Sequence, residues 1–272
     1  MCFPTEGRDQ EKKMSNLHIL ITNDDGIYAE GLQHLSQALF EEKKNYMLSI
    51  CAPDRERSAV GHAITMHRPL RVDKVNFMHN QELCGYSVNG TPSDSVKLAV
   101  EAILEESPDL VISGINRGSN LGTDVLYSGT VSAAVEGLIM GIPSIAVSLT
   151  GRGESKNYID AARYICSIIP LLMKGDFPKK TLLNINIPVN TEIIRGTRVT
   201  GLGVRRYRNT FERRVDPRGM FYYWLAGELV EDDPEDEDSD TKAIRDNYIS
   251  ITPIHYNLTN REAIQSLKTL LE

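Results

Sequence analysis

The sequence has no apolar run approaching the roughly 20 residues that a membrane span needs. Its longest runs, such as Leu110 to Ile115 and Ile142 to Leu149, are of strand length, so no membrane partner is expected. Cysteine is scarce: Cys2, Cys51, Cys84 and Cys166 stand far apart, which excludes a zinc-type cluster and a dense disulfide scaffold. Met1 to Asn16 is polar and lacks the apolar core of an export signal. The expected location is therefore the cytoplasm, with 1–16 set apart as an N-terminal extension. A Walker A lysine loop is missing, which disfavours P-loop NTP hydrolysis. No Gly-x-Gly-x-x-Gly follows the first strand, which disfavours a dinucleotide.

Positive charge is also in short supply. The net charge of −7 argues against a nucleic-acid polymer as partner. The deficit is local, because eight of the ten residues from Glu231 to Asp240 are acidic. With Pro234 and no aromatics, that run reads as a solvated loop. Ahead of it Arg205, Arg206, Arg208, Arg213, Arg214 and Arg218 form a basic stretch.

What is present is an alternation of strand-like and helix-like segments, the mark of a mostly parallel α/β sheet covered on both faces. Strands are expected at His18 to Thr22, Tyr46 to Cys51, Leu110 to Ile115, Ser144 to Ser148 and Leu182 to Ile187. Arg68 to Val88 reads as two extended segments around a polar turn at His79 and Asn80. Thr91 and Pro92 open one helix, as cap and first helical residue. Ser128 opens another, and Tyr158 to Met173 is a third. Residues 17–190 form the expected body of a single domain, 17–272. Beyond it, Val199 to Val204 is a possible strand, Phe221 to Leu225 and Asn247 to Ile251 flank the acidic run, and Arg261 to Leu271 is a terminal helix. Such a hairpin and helix seldom bury their own core, which points to packing against a partner subunit.

In open α/β sheets ligands bind beyond the carboxyl ends of the strands. The first strand delivers Asn23, Asp24 and Asp25 there. The second delivers Asp54, Arg55 and Ser58, and the strand at Leu110 delivers Ser113, Asn116 and Asn120. Adjacent carboxylates raise one another's pKa, a cost that a bound cation removes. Oxygen donors suit Mg²⁺ or Mn²⁺ rather than Zn²⁺. Asp24-Asp25-Gly26 alone is equally readable as a plain turn; Ser58 and Asn116 tilt the reading to a metal. Ser128-Gly129-Thr130 at a helix start offers hydroxyls, free N–H groups and the positive dipole end to an anion, although Ser128 could be only an N-cap. His34, His62 and His67 lack ligand spacing.

Several ordered motifs resemble the SurE family, the stationary-phase survival proteins that are 5′/3′-nucleotidases. They are Ile-Thr-Asn-Asp-Asp-Gly at 21–26, Ala-Pro-Asp-Arg at 52–55 with Ser58, and Gly-Thr-Pro-Ser-Asp at 90–94. Ser-Gly-Ile-Asn-Arg-Gly-Ser-Asn-Leu-Gly at 113–122, Tyr-Ser-Gly-Thr-Val at 127–131 and Gly-Ile-Pro-Ser-Ile-Ala-Val-Ser at 141–148 follow. Asp216 to Gly219, Tyr223-Trp224 and Ile249 to Pro253 also look like that family. The chain departs from it at Ala59-Val60-Gly61-His62, where a common pattern has glycine next to the serine.

The resemblance implies a Rossmann-like α/β fold with a C-terminal hairpin and helix exchanged between subunits in a homodimer or homotetramer. It implies one divalent ion, Mg²⁺ or Mn²⁺, on Asp24, Asp25, Ser58 and Asn116. Asn120, Ser128, Gly129 and Thr130 would hold the phosphate of a nucleoside monophosphate. The implied reaction is hydrolysis of 5′- and 3′-monophosphates, with short polyphosphate as a further substrate. Asp24 or Asp25 would orient or deprotonate the attacking water, and Asn120 would stabilise the phosphoryl oxygens. An aspartyl-phosphate mechanism on Asp24 is disfavoured, because Gly26 stands where an Asp-x-Asp enzyme has its second acid. The non-enzymatic alternative is a nucleotide- and metal-binding sensor.

Overall fold

The computed structural model describes residues 17–42, 46–76, 83–175, 177–178, 180–208, 210–230 and 236–271. The N-terminal extension, the polar turn at His79 and Asn80, and residues 231–235 of the acidic run lie outside the described residues.

The body is built from strands β1 (His18–Thr22), β2 (Met47–Pro53), β3 (Val72–Asn76), β4 (Cys84–Val88), β5 (Leu110–Arg117), β6 (Ser144–Thr150), β7 (Leu182–Pro188) and β8 (Thr197–Val199). Four short strands follow: β9 (Arg206–Arg208), β10 (Phe211–Val215), β11 (Phe221–Leu225) and β12 (Glu228–Val230). The last is β13 (Ile249–Ile254). The helices are α1 (Glu30–Glu41), α2 (Pro92–Leu98), α3 (Gly129–Ile139), α4 (Ser155–Lys174), α5 (Asp240–Arg245) and α6 (Arg261–Leu271).

One nine-stranded sheet runs β3-β4-β2-β1-β5-β6-β7-β13-β8. From β4 to β7 all neighbours are parallel, while β3 and β13 run antiparallel to β4 and β7. Every residue of β1 and β7 is buried, as parallel strands covered on both faces require. Ile19 and Ile21 pack with Leu32 and Leu35 of α1 and Ala161 and Ile165 of α4. Leu20 points the other way, into a cluster with Val96 of α2 and Ala133 of α3. The two-residue period of a strand thus distributes one run between two cores.

The Thr91 hydroxyl caps α2 by accepting from the Asp94 N–H, and Asp94 returns the bond in a capping box. Helix α4 starts earlier than its apolar pattern suggests, because Glu154 and Asn157 cap it with side chains that carry no hydrophobic signal.

The chain leaves β1 toward β2 on one side and later places β5 on the other. That reversal opens a crevice at the carboxyl ends of β1 and β5, where doubly wound sheets place their ligands. The sheet does not stop near residue 190. Asn247 to Ile251, expected beside the acidic run, falls largely in β13, which is inserted between β7 and β8. The possible strand at Val199 to Val204 is shorter and earlier, ending at Val199, after which Gly201 bridges to Ser239. Phe221 to Leu225 does form a hairpin, but with β10.

Candidate active site

Asn23 is fully buried and shapes the first turn. Its Oδ1 accepts from the Gly26 N–H at 3.1 Å, and its Nδ2 donates to the Gly26 carbonyl at 2.9 Å. Gly26 has φ of +102°, and a Cβ there would meet the Arg55 backbone at 3.0 Å. The turn therefore needs glycine both for its conformation and to admit the loop that leaves β2. That loop is stitched back by the Arg57 N–H, which donates to the Asp24 carbonyl at 2.7 Å.

The Asp24 side chain is only 5% exposed and sits on the start of α3. The Thr130 hydroxyl donates to its Oδ1 at 2.5 Å. A Cβ on Gly129 would lie 2.7 Å from the Asp24 Cβ and 2.8 Å from Oδ2. Only glycine lets the carboxylate come this close to the helix end. Burial is the largest influence on Asp24 and pushes its pKa up to about 6; the Thr130 hydrogen bond opposes this and the Asp25 charge adds to it.

Asp25 is less enclosed. It accepts from the Arg117 N–H at 3.0 Å, and its pKa is also raised, first by burial. It borders a cavity of about 210 Å³ shared with Glu30, Glu56, Arg117 and Tyr158. Two larger hollows, of about 510 and 620 Å³, lie elsewhere, between α1 and α4 and around His255 to Thr259. Neither has a comparable oxygen-donor set on a strand end.

Asn116 lies near the end of β5, where the register against β6 shifts after Ser113. Its Nδ2 donates to the Gly118 carbonyl at 2.8 Å, which leaves Oδ1 as the amide atom that could bind a cation. Ser58 lies in the loop after β2, exposed, with its Oγ donating to Glu56 at 2.7 Å. Asn120 is buried and held on every side. Its N–H donates to Asn186 at 2.9 Å, its carbonyl accepts from Asn184 and Asn186, and its Nδ2 donates to Ser148 at 2.8 Å. Ser128 caps α3, its Oγ accepting from the Val131 N–H at 3.1 Å, which leaves its own proton available.

Asp24, Gly129 and Thr130 are thus in direct contact, and Asp25 is bonded to the residue after Asn116. The Thr130 hydroxyl proton is committed to Asp24, so an anion at this helix start would meet the Gly129 N–H and the Ser128 hydroxyl first. Among the described residues no three His, Cys, Asp or Glu side chains gather into a metal site. A cation here would need Ser58 and Asn116 beside the two acids, an all-oxygen set that fits a hard ion. Two raised carboxyl groups on one turn fit it as well, since a divalent charge offsets the cost of ionising both. Asn23 could have been anticipated from the Asn-x-x-Gly spacing of an Asx turn. The contact of Asp24 with Gly129 and Thr130 spans more than a hundred residues and has no local signal.

Fold and site together define a doubly wound α/β protein with its polar site at the sheet's switch point. Residues 19–209 match the family model of the survival protein SurE, and the chain belongs to that family. It is 53% identical over 255 residues to a 5′-nucleotidase SurE of Carboxydothermus hydrogenoformans, covering 93% of this chain and 96% of that one. It is 51% identical to a 5′-nucleotidase SurE of Desulforudis audaxviator, with the same coverage. The crystal structure of the SurE protein from Aquifex aeolicus superposes with a TM-score of 0.78 at 40% identity, covering 94% of this chain and 100% of that one.

Proposed function

We propose that this chain is a metal-dependent phosphomonoesterase that hydrolyses nucleoside 5′- and 3′-monophosphates to nucleoside and phosphate, with short polyphosphate as a further substrate. The observation that carries this reading is the contact of the Asp24 carboxylate with Gly129 and Thr130. It sets a cation donor against an anion-binding helix start, so that cation and phosphate would share one site. The 5′-nucleotidase names of the relatives support the same reading.

Asp24, Asp25, Ser58 and Asn116 would hold one Mg²⁺ or Mn²⁺, which when bound supplies a more acidic water and offsets charge on the phosphoryl oxygens. Thr130 keeps Asp24 ionised and aimed by donating to Oδ1. Asp24 or Asp25 would orient the attacking water and accept its proton. Ser128 and the Gly129 N–H would bind the equatorial oxygens. Asn120, pinned through its main chain to β7 and with its Nδ2 already donating to Ser148, would offer its remaining amide N–H to the same group.

Among the described residues no helix is long and apolar enough to cross a membrane. The β10–β11 hairpin exposes Phe211, Phe221 and Trp224, which supports a homodimer or homotetramer built through the C-terminal part.

Phosphate release from AMP, GMP and their 3′ isomers, with Mn²⁺ and with chelator, tests the function. Release that needs the metal is expected. A chain that binds AMP yet releases no phosphate across the panel would be a nucleotide sensor instead.

A further inference from the structure

Ser58 is the least anchored of the four candidate cation donors. It is exposed, and its Oγ reaches only Glu56 of its own loop. What fixes the loop lies on either side of it. Before Ser58, the Arg57 N–H donates to the Asp24 carbonyl at 2.7 Å. After it, the Gly61 N–H donates to the Tyr127 carbonyl at 3.0 Å. Between these ties Ala59 is held at a φ of +55°, a left-handed conformation that a residue with a Cβ leaves unless its surroundings impose it.

The strongest tie comes next. His62 Nε2 lies 2.7 Å from Glu136 Oε2. Glu136 is on α3, the helix whose start carries Ser128, Gly129 and Thr130, and it is only 5% exposed. Its other oxygen has Lys97 Nζ at 3.5 Å. The hydrogen bond from His62 is the largest influence holding the Glu136 carboxyl below its ordinary range. A buried acid on a rigid helix is a fixed anchor, and without His62 it would keep, among the described residues, only the more distant lysine.

We infer that His62 is a positioning residue for Ser58: paired with Glu136, it clamps the Ser58 loop to the helix that carries the anion site and so sets cation affinity. This rests on Ser58 being a cation donor. His62 and Glu136 stand 74 positions apart, and His62 itself needs no contact with the cation. Its effect is carried by the strained turn at Ala59, which without His62 is held on that side by the Gly61 backbone tie alone.

The experiment measures Mn²⁺ binding to the full chain from the electron paramagnetic resonance signal of free Mn²⁺, for the wild type, Ser58→Ala, His62→Ala and the double variant. His62→Ala is expected to weaken binding by about tenfold or more, as loss of a supporting contact to a metal ligand typically does. The double variant should bind about as weakly as Ser58→Ala alone, because both changes act through one donor. His62→Gln puts an amide nitrogen near the position of Nε2 and is expected to restore most of the affinity; it also serves if His62→Ala does not fold. Turnover at saturating Mn²⁺ should fall far less than the affinity. Wild-type affinity in folded His62→Ala, beside weakened Ser58→Ala, overturns the clamp. Additive losses in the double variant overturn it too, since His62 would then act elsewhere. Unchanged affinity in Ser58→Ala removes Ser58 from the cation site, and the clamp with it.

Discussion

Asp24 carries a cost that the proposed cation would offset. In the unfolded chain its pKa is near 3.8, and in the folded chain about 6. A carboxyl raised on folding stabilises the protein fully below the unfolded value and loses that contribution as pH rises through the folded one. At neutral pH the metal-free protein therefore bears roughly 2–3 kcal/mol from this one group. Asp24→Asn removes the charge, keeps an acceptor for Thr130, and should stabilise the metal-free chain at pH 7 by about 1–3 kcal/mol. Urea unfolding of both proteins in chelator, from pH 4 to pH 8, checks this. The gain should be small near pH 4, grow as pH rises from about 4 to about 6, and level off above that. A gain that is the same at every pH would mean that the charge is not the cause.

Residue identity was legible in the sequence where chemistry is local. Asp24, Asp25 and Gly26 stand together on one turn, and Ser128 begins a helix that its own hydroxyl caps. The partners were not legible. Thr130 reads as a second hydroxyl for phosphate, yet its proton goes to Asp24. Asp240, last of the acidic run, reads as solvated but is fully buried.

At the scale of elements, α3 must approach β1 more closely than side chains ordinarily allow. Gly129→Ala would drive a Cβ into Asp24 at 2.7 Å, and Asp24 cannot retreat because Thr130 holds it. The variant should lose about 1–3 kcal/mol of stability and most of its cation affinity, read by thermal unfolding and Mn²⁺ titration. A folded variant with unchanged affinity would mean that the contact is incidental.

Asp240 plays the corresponding part for the C-terminal arm. Its carboxylate accepts from the N–H groups of Gly122, Gly203 and Thr241, and burial raises its pKa. It thereby joins α5 to the loop that precedes α3. Asp240→Ala leaves those donors unpaired and should cost at least about 2 kcal/mol, measured by urea unfolding. The parallel strands were legible because burial on both faces writes them as apolar runs. The insertion of β13 was not, because its pairing with β7 is a long-range choice between similar apolar segments.

At the scale of the whole molecule, the sheet is self-sufficient and the β10–β11 hairpin is not. Phe211, Phe221, Tyr223, Trp224 and Leu225 are each more than half exposed in the single chain. A hairpin with so much uncovered apolar surface has no core of its own. Light scattering on the purified chain should give at least a dimer, and Phe221→Ser with Trp224→Ser should shift it toward monomer. A monomeric wild type would contradict the assembly. The sequence foreshadowed this surface, since the aromatic run at Phe221 stands apart from the α/β alternation.

The proposed role of Asp24 is to hold a cation directly beside the start of α3, where phosphate would bind. Its most direct test is Mn²⁺-dependent phosphate release from AMP by Asp24→Asn, with the fold checked by circular dichroism. The variant is expected to fold and to release phosphate more slowly by about three orders of magnitude or more, because the cation and the group it aligns are lost together. Full release by folded Asp24→Asn would contradict it.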